Sequence, residues 1–243
     1  MQFFPKIWSK EKGNPPLDEV LKGIIGYTPK NKALFKTAFT HRSVNSKNED
    51  VVYVNFERLE FLGDTVIDTV VAHFLYCELD QDNEGELTKM KSKIVNREKL
   101  NFIGKELGLL DHLFCTGGKD NFGDDINGNI LEALIGAVFV DKGYERCKKI
   151  VFKVILDPYI SLNDVKKEII SYKSVLIEWG QKEKQNIQFL TEKEDSKDAT
   201  INYYCKLMLN DELLIKTREV SKKKAEEKAA KRAYKVMRIK DQI

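Results

Sequence analysis

Cysteine and histidine are too scarce and too scattered in this chain to build a soft-metal site. Its four cysteines are Cys77, Cys115, Cys147 and Cys205. None forms a C-x-x-C pair, which argues against zinc and against a disulfide framework. The three histidines are His41, His73 and His112. None follows a Glu by three residues, so the Glu-x-x-His pairs of a di-iron carboxylate bundle are missing. No apolar run approaches the roughly 18 residues of a membrane span. The opening Met1-Gln2-Phe3-Phe4-Pro5-Lys6 has no apolar segment followed by a small-residue cleavage site. A reducing cytoplasm, with no membrane contact, is therefore the expected setting. An excess of one charge is also missing. With 41 basic and 38 acidic residues the formal net charge is only +3, and the distribution of charge matters more than its sum. Two glycine clusters, Gly117-Gly118 and Gly123 through Gly128, resemble neither a P-loop nor a calcium loop. Asp120 follows Gly118-Lys119, and Gly123 and Leu134 stand where calcium ligands belong.

What is present is helical periodicity, up to about Val140. Leu17, Val20, Leu21, Ile24 and Ile25 form one apolar stripe, and Ala33, Leu34, Thr37 and Ala38 form another. Leu100, Ile103, Leu107 and Leu110 repeat the pattern. Near Ser161–Lys167 the pattern changes. A helix from Tyr172 to Lys184 precedes strands over Ile187–Thr191, Ile201–Leu209 and Leu213–Val220, with Asn210-Asp211 as a turn. Ser221 then starts a helix running to about Met237. The expected organisation is an arm over 1–16, an all-α domain over 17–160, a linker over 161–170 and a small α-β-β-β-α domain over 171–240.

Two constellations carry chemistry. In Asn55-Phe56-Glu57-Arg58-Leu59-Glu60-Phe61-Leu62-Gly63-Asp64 the acids Glu57, Glu60 and Asp64 fall at i, i+3 and i+7. A helix places them within roughly 60° of one another, with Leu59, Leu62, Val66 and Val70 on the opposite side. A solvated acidic face is the ordinary reading of such a stripe. The apolar surroundings favour instead a buried stripe that a divalent cation neutralises. Oxygen donors without His or Cys, with Glu132 joining them, suit Mg²⁺ or Mn²⁺. Asp68, one turn beyond Asp64, reads as an outer or merely exposed acid. The second constellation is Ser221-Lys222-Lys223-Lys224, where lysines crowd a helix N-terminus that already favours anions. Lys231, Arg232, Lys235, Arg238 and Lys240 extend this basic face, and the backbone of a nucleic acid is its natural partner.

The stretch Glu57-Arg58-Leu59-Glu60-Phe61-Leu62-Gly63-Asp64 resembles the signature of ribonuclease III, the bacterial endonuclease of double-stranded RNA. Thr40-His41-Arg42-Ser43, Glu84-Gly85-Glu86-Leu87-Thr88, Glu132-Ala133-Leu134-Ile135-Gly136-Ala137 and Asp141-Lys142-Gly143 are similar to that family as well. The C-terminal part resembles a double-stranded-RNA-binding domain. The resemblance implies that Glu60, Asp64, Asn129 and Glu132 would hold Mg²⁺, with Mn²⁺ as a substitute, and that Asp64 and Glu132 would be catalytic. It further implies a homodimer in which Phe61 plugs into the partner subunit, Glu57 lies near the interface and Glu84 approaches the other site. The products would carry 5′-phosphates and short 3′ overhangs, and the activity would serve rRNA and mRNA processing. Lys173, Ser174, Lys222, Lys223 and Lys224 would contact RNA, by duplex shape rather than sequence.

Three positions depart from the family pattern. Asn129 stands where Asp is usual, three residues before Glu132. Lys197-Asp198-Ala199-Thr200 replaces a Gly-Pro-x-His loop, and Thr217-Arg218-Glu219-Val220 lacks the customary glycines. Asn129 and Glu132 also have the spacing of a capping box. Against that, Ile126 and Ile130 share a helical face, which starts the helix earlier. The alternative function is a catalytically impaired dimer that binds duplex RNA. A nucleotide hydrolase would leave the C-terminal domain without a purpose. His41 reads as a hydrogen-bonded structural residue, and Trp179, Tyr204 and the cysteines read as core.

Overall fold

The architecture comes from a computed structural model that describes residues 15–45, 56–119, 122–123, 125–169, 171–194 and 202–239. Most of the expected N-terminal arm, Asn55, Asp120, the Lys197–Thr200 loop, Ile201 and Lys240 lie outside the described residues. The chain divides into two units, Met1–Lys167 and Glu168–Ile243.

In the first unit, α1 (Leu17–Ile25) buries Val20, Leu21, Ile24 and Ile25, and Gly26 ends it with a left-handed φ of 73°. Asn31 caps α2 (Lys32–Ala38) by accepting from the Leu34 N–H. The stripe on α2 is not the expected one. Phe35 and Ala38 are buried, with Phe39 just beyond, while Ala33 is exposed. Covering two phenyl rings removes far more apolar surface from water than covering Ala33 would.

The long helix α3 (Glu57–Glu78) is followed by α4 (Glu84–Ile94) and α5 (Arg97–Glu106), whose caps Asn83 and Asn96 each accept an N–H of the first turn. Then come α6 (Ile126–Val151), a π-helical segment at Phe152–Leu156 and the short α7 (Asp157–Tyr159). Gly143, with φ 71° and ψ −177°, breaks α6 and turns its last part back. The α3–α6 pair is the centre of this unit, with Ile67, Val70, Val71, Ile130, Leu131 and Leu134 in one apolar core.

Residues 161–170 are not a linker throughout. Leu162–Lys167 forms α8, and its Val165 is buried in the first core. Lys93 Nζ donates to the carbonyls of Val165 (3.0 Å) and Lys166 (3.2 Å), and Lys166 pairs with Asp82 at 2.9 Å. Charged residues that read as a solvated run are thus tied down by a lysine at the helix C-terminus.

In the second unit, α9 (Tyr172–Lys182) and α10 (Lys222–Val236) pack on an antiparallel sheet of β1 (Ile187–Lys193), β2 (Tyr203–Leu209) and β3 (Glu212–Glu219), in the order β1-β2-β3. Asn210 and Asp211 both take positive φ, as a two-residue hairpin turn requires. The first helix stops at Lys182 rather than Lys184, because Lys184 itself turns left-handed at φ 55°. Leu176, Trp179, Cys205, Leu207, Ala225 and Ala229 build the core.

Tyr204 is not part of that core. Strand alternation turns Cys205 and Leu207 inward, so Tyr204 faces the other way. It donates its hydroxyl to Glu194 Oε1 at 3.0 Å, under the cations of Lys216 and Arg218. The cysteines are also divided. Cys147 and Cys205 are buried, Cys115 is half-buried, and Cys77 is exposed rather than a core residue.

Candidate active site

Two glycines decide where the acidic residues meet. A Cβ on Gly63 of α3 would overlap the Glu132 carbonyl of α6, and a Cβ on Gly136 would overlap the Leu59 carbonyl of α3. The two backbones therefore touch at one crossing. Glu60 and Asp64 flank it on one helix and Glu132 on the other. In sequence the mark of this crossing is Gly136 itself, since an isolated glycine within a helical pattern costs stability and marks a packing need.

The crossing opens into a cleft of ≈ 720 Å³ bordered by Glu57, Glu60, Phe61, Asp64, Asn129 and Glu132, with Arg42, His41 and Arg97 also on its wall. Glu84 does not border it; its carboxylate accepts the Thr88 hydroxyl at 3.1 Å. Phe61 is 76% exposed although it is a large aromatic at the cleft edge. Asn129 lies inside α6, which starts at Ile126 with Asp125 as its N-cap. That answers the capping-box reading: the helix begins earlier, and Asn129 faces the cleft.

The electrostatics follow from this crowding. Burial, then the charges of Asp64 and Glu60, push the Glu132 carboxyl up to about 8, with Arg97 opposing them. Partial burial and Glu57 raise Glu60; Asp64 is exposed, and only partial desolvation, together with Asp68, raises it. Asp68 is not simply exposed. It pairs with Lys91 at 2.6 Å, and that lysine also lowers Asp64. His41 is held below the ordinary histidine value by burial and by Arg42. Its Nδ1 lies 2.9 Å from the Ser43 hydroxyl, and its ring packs against Phe56 and Phe122. These contacts suit a structural role. Arg97, which no sequence motif singles out, pairs with Asp125 at 2.9 Å. Its charge reaches both Glu60 and Glu132.

In the second unit, Lys222, Lys223 and Lys224 are exposed at the start of α10, where the Ser221 hydroxyl accepts the Lys224 N–H at 3.2 Å. Ser174 is exposed on α9. Lys173 is placed differently. Its Nζ bonds the buried Glu226 at 2.6 Å and lies over the Phe189 ring, so it joins α9 to α10 while 36% of its side chain stays exposed.

Known proteins resemble this chain over most of its length. Residues 31–159 match the family model described as Ribonuclease-III-like, and residues 172–237 match the double-stranded RNA binding motif. Ribonuclease 3 of Zunongwangia profunda is 42% identical over 88% of each chain. Ribonuclease 3 of Flavobacterium psychrophilum is 41% identical over 96% of each. The chain belongs to the ribonuclease III family. Two solved structures of the nuclease domain of Campylobacter jejuni ribonuclease III are 33% and 32% identical to it. Their TM-scores are 0.52 and 0.53, and they cover 58% and 61% of this chain and 97% and 99% of their own. One of them is described as flexible in a region involved in dimer formation.

As a ribonuclease III family member, the chain joins a helical nuclease domain to a double-stranded-RNA-binding domain. Among the described residues, no three His, Cys, Asp or Glu side chains gather into a group that could hold a metal by themselves. The donor set still fits Mg²⁺. That ion binds through one or two carboxylates and keeps several waters, so an open acidic cleft suits it better than a closed cage. Carboxyls that burial, and then neighbouring negative charge, raise toward neutrality are also those that gain most from a cation.

Proposed function

We propose that this ribonuclease III family protein is a Mg²⁺-dependent endoribonuclease, with Mn²⁺ as a substitute, that acts as a homodimer on double-stranded RNA. It leaves 5′-phosphates and short 3′ overhangs, and it serves rRNA and mRNA processing in the cytoplasm. One observation carries the reading: the helix crossing brings Glu60, Asp64 and Glu132 to a single cleft, in a chain that also carries a duplex-RNA-binding domain. Glu60, Asp64, Asn129 and Glu132 would hold the ion, which supplies a water nucleophile and offsets charge on the phosphodiester. Asp64 orients the attacking water, and Glu132 closes the site from the facing helix. Glu57 and Phe61 stand at the cleft edge, where the partner subunit would meet them. Glu84, at the start of α4, reaches toward the partner's cleft. The lysines of α10 and Ser174 hold the duplex by its backbone and 2′-hydroxyls.

Purified protein with a perfect RNA duplex and Mg²⁺ should give staggered products, and EDTA should stop it. Intact duplex at high enzyme concentration would refute the activity. Glu132→Gln should bind the duplex and fail to cut it. A neutral Asn129 favours a second reading, a dimer that binds duplex RNA without cutting. If wild type is inert and Asn129→Asp cuts, that reading wins.

A further inference from the structure

A strand of RNA that enters this cleft meets a difficulty that one cation does not remove. Each nucleotide brings a negative charge, and the wall carries Glu57, Glu60, Asp64 and Glu132. A divalent ion offsets charge at the reacting phosphate. The neighbouring phosphates remain within the field of the acids, which an effective dielectric near 20 screens only in part.

Arg97 is placed to answer this. It is the first residue of α5, its side chain is 76% exposed, and it borders the same cleft as the acids. Its Nη1 donates to Asp125 Oδ2 at 2.9 Å. That contact steers the side chain from the residue that precedes α6, while a guanidinium carries five N–H donors in a planar fork suited to phosphate. A surface ion pair of this exposure contributes little to stability, so folding does not account for it.

We propose that Arg97 is a positioning residue for cleavage: its guanidinium binds a phosphate next to the scissile one and seats the strand against the acidic cleft, with Asp125 orienting it. The inference rests on the nuclease reading of the cleft. It adds a residue that the family signature and the acidic cluster do not include.

The test uses the full chain and two readouts. Binding of a labelled perfect RNA duplex is measured in Mg²⁺ at several KCl concentrations, in the Glu132→Gln background so that the duplex persists. Adding Arg97→Ala should weaken binding about tenfold. It should also lower the slope of log affinity against log salt by about 1 per cleft engaged. Cleavage by the Arg97→Ala single variant should show KM raised about tenfold with kcat within about twofold, the pattern of lost uniform binding. Arg97→Lys should recover part of the loss. Asp125→Ala should keep most of the affinity and leave the salt slope unchanged.

Unchanged affinity and slope in Arg97→Ala overturn the proposal. So does a fall in kcat with unchanged KM and a displaced pH profile, because the guanidinium would then act on the carboxylates and not on RNA. Wild type that binds but never cuts sinks the nuclease reading alone, since the binding arm still decides the role of Arg97.

Discussion

A carboxyl that keeps its proton up to about pH 8 has a cost at physiological pH, and Glu132 bears it. In the unfolded chain the same group ionises near 4.5, so between these values the folded state holds more protons. The stability this lends is complete below about pH 4.5 and is lost as pH rises through about 8. Glu132→Gln removes the dependence. In metal-free buffer at pH 9 the variant should melt a few degrees above wild type, a gain on the order of 1 kcal/mol once solvent screening is allowed for. At pH 5 the difference should vanish. Calorimetry at both pH values checks this; equal melting points at pH 9 would mean that the carboxyl is not in a strained setting. The sequence placed Glu132 with the acids as an oxygen donor. It gave no sign of the proton, because the burial and the neighbouring carboxylates Asp64, Glu60 and Asp68 depend on another helix.

Helices α3 and α6 hold the site together only because they touch backbone to backbone. Gly63→Ala should force them apart and destabilise the first unit by roughly 3 kcal/mol or more. Cleavage should fall further than the stability loss explains, since Glu60 and Glu132 would separate. A Gly63→Ala protein with wild-type Tm and activity would contradict the close crossing.

In the second unit the corresponding joint is ionic. Burial tends to raise the Glu226 carboxyl, but the bonds from Lys173 and Thr191 outweigh it and hold it below the ordinary value. Its contribution is therefore present above about pH 4.5 and is lost as pH falls through the lowered value. Glu227 adds a second joint by accepting from the Ser171 hydroxyl at 3.0 Å and from the Tyr172 N–H at the start of α9. Glu226→Gln should cost about 2 kcal/mol. It should also weaken RNA binding by misplacing α9, although the residue faces inward. Urea unfolding followed by Trp179 fluorescence would measure the first effect, and an unchanged midpoint would reject it.

For the whole molecule, the feature that asks for a second copy is Phe61. This aromatic ring, 76% exposed at the edge of the acidic cleft, is the side chain that the proposed homodimer would cover. If the proposed homodimer forms, Phe61→Asp should shift the protein toward monomer in sedimentation at micromolar concentration. Cleavage of both strands should fall with it. A wild-type monomer at that concentration would count against the homodimer.

Much of this design is written locally. The 3.6-residue periodicity determined the helices, the alternation around Asn210-Asp211 determined the hairpin, and the spacing of Glu57, Glu60 and Asp64 determined the acidic face, because each depends on residues close in sequence. Tertiary structure alone decided what those faces meet. It set Glu132 against Asp64 through two glycines, put Arg97 beside the cleft, tied Lys173 to Glu226, turned Tyr204 outward, and made α8 from an apparent linker. Periodicity says which side of an element is apolar or charged. It does not say which other element lies opposite, and burial, charge pairing and proton affinity all depend on that neighbour.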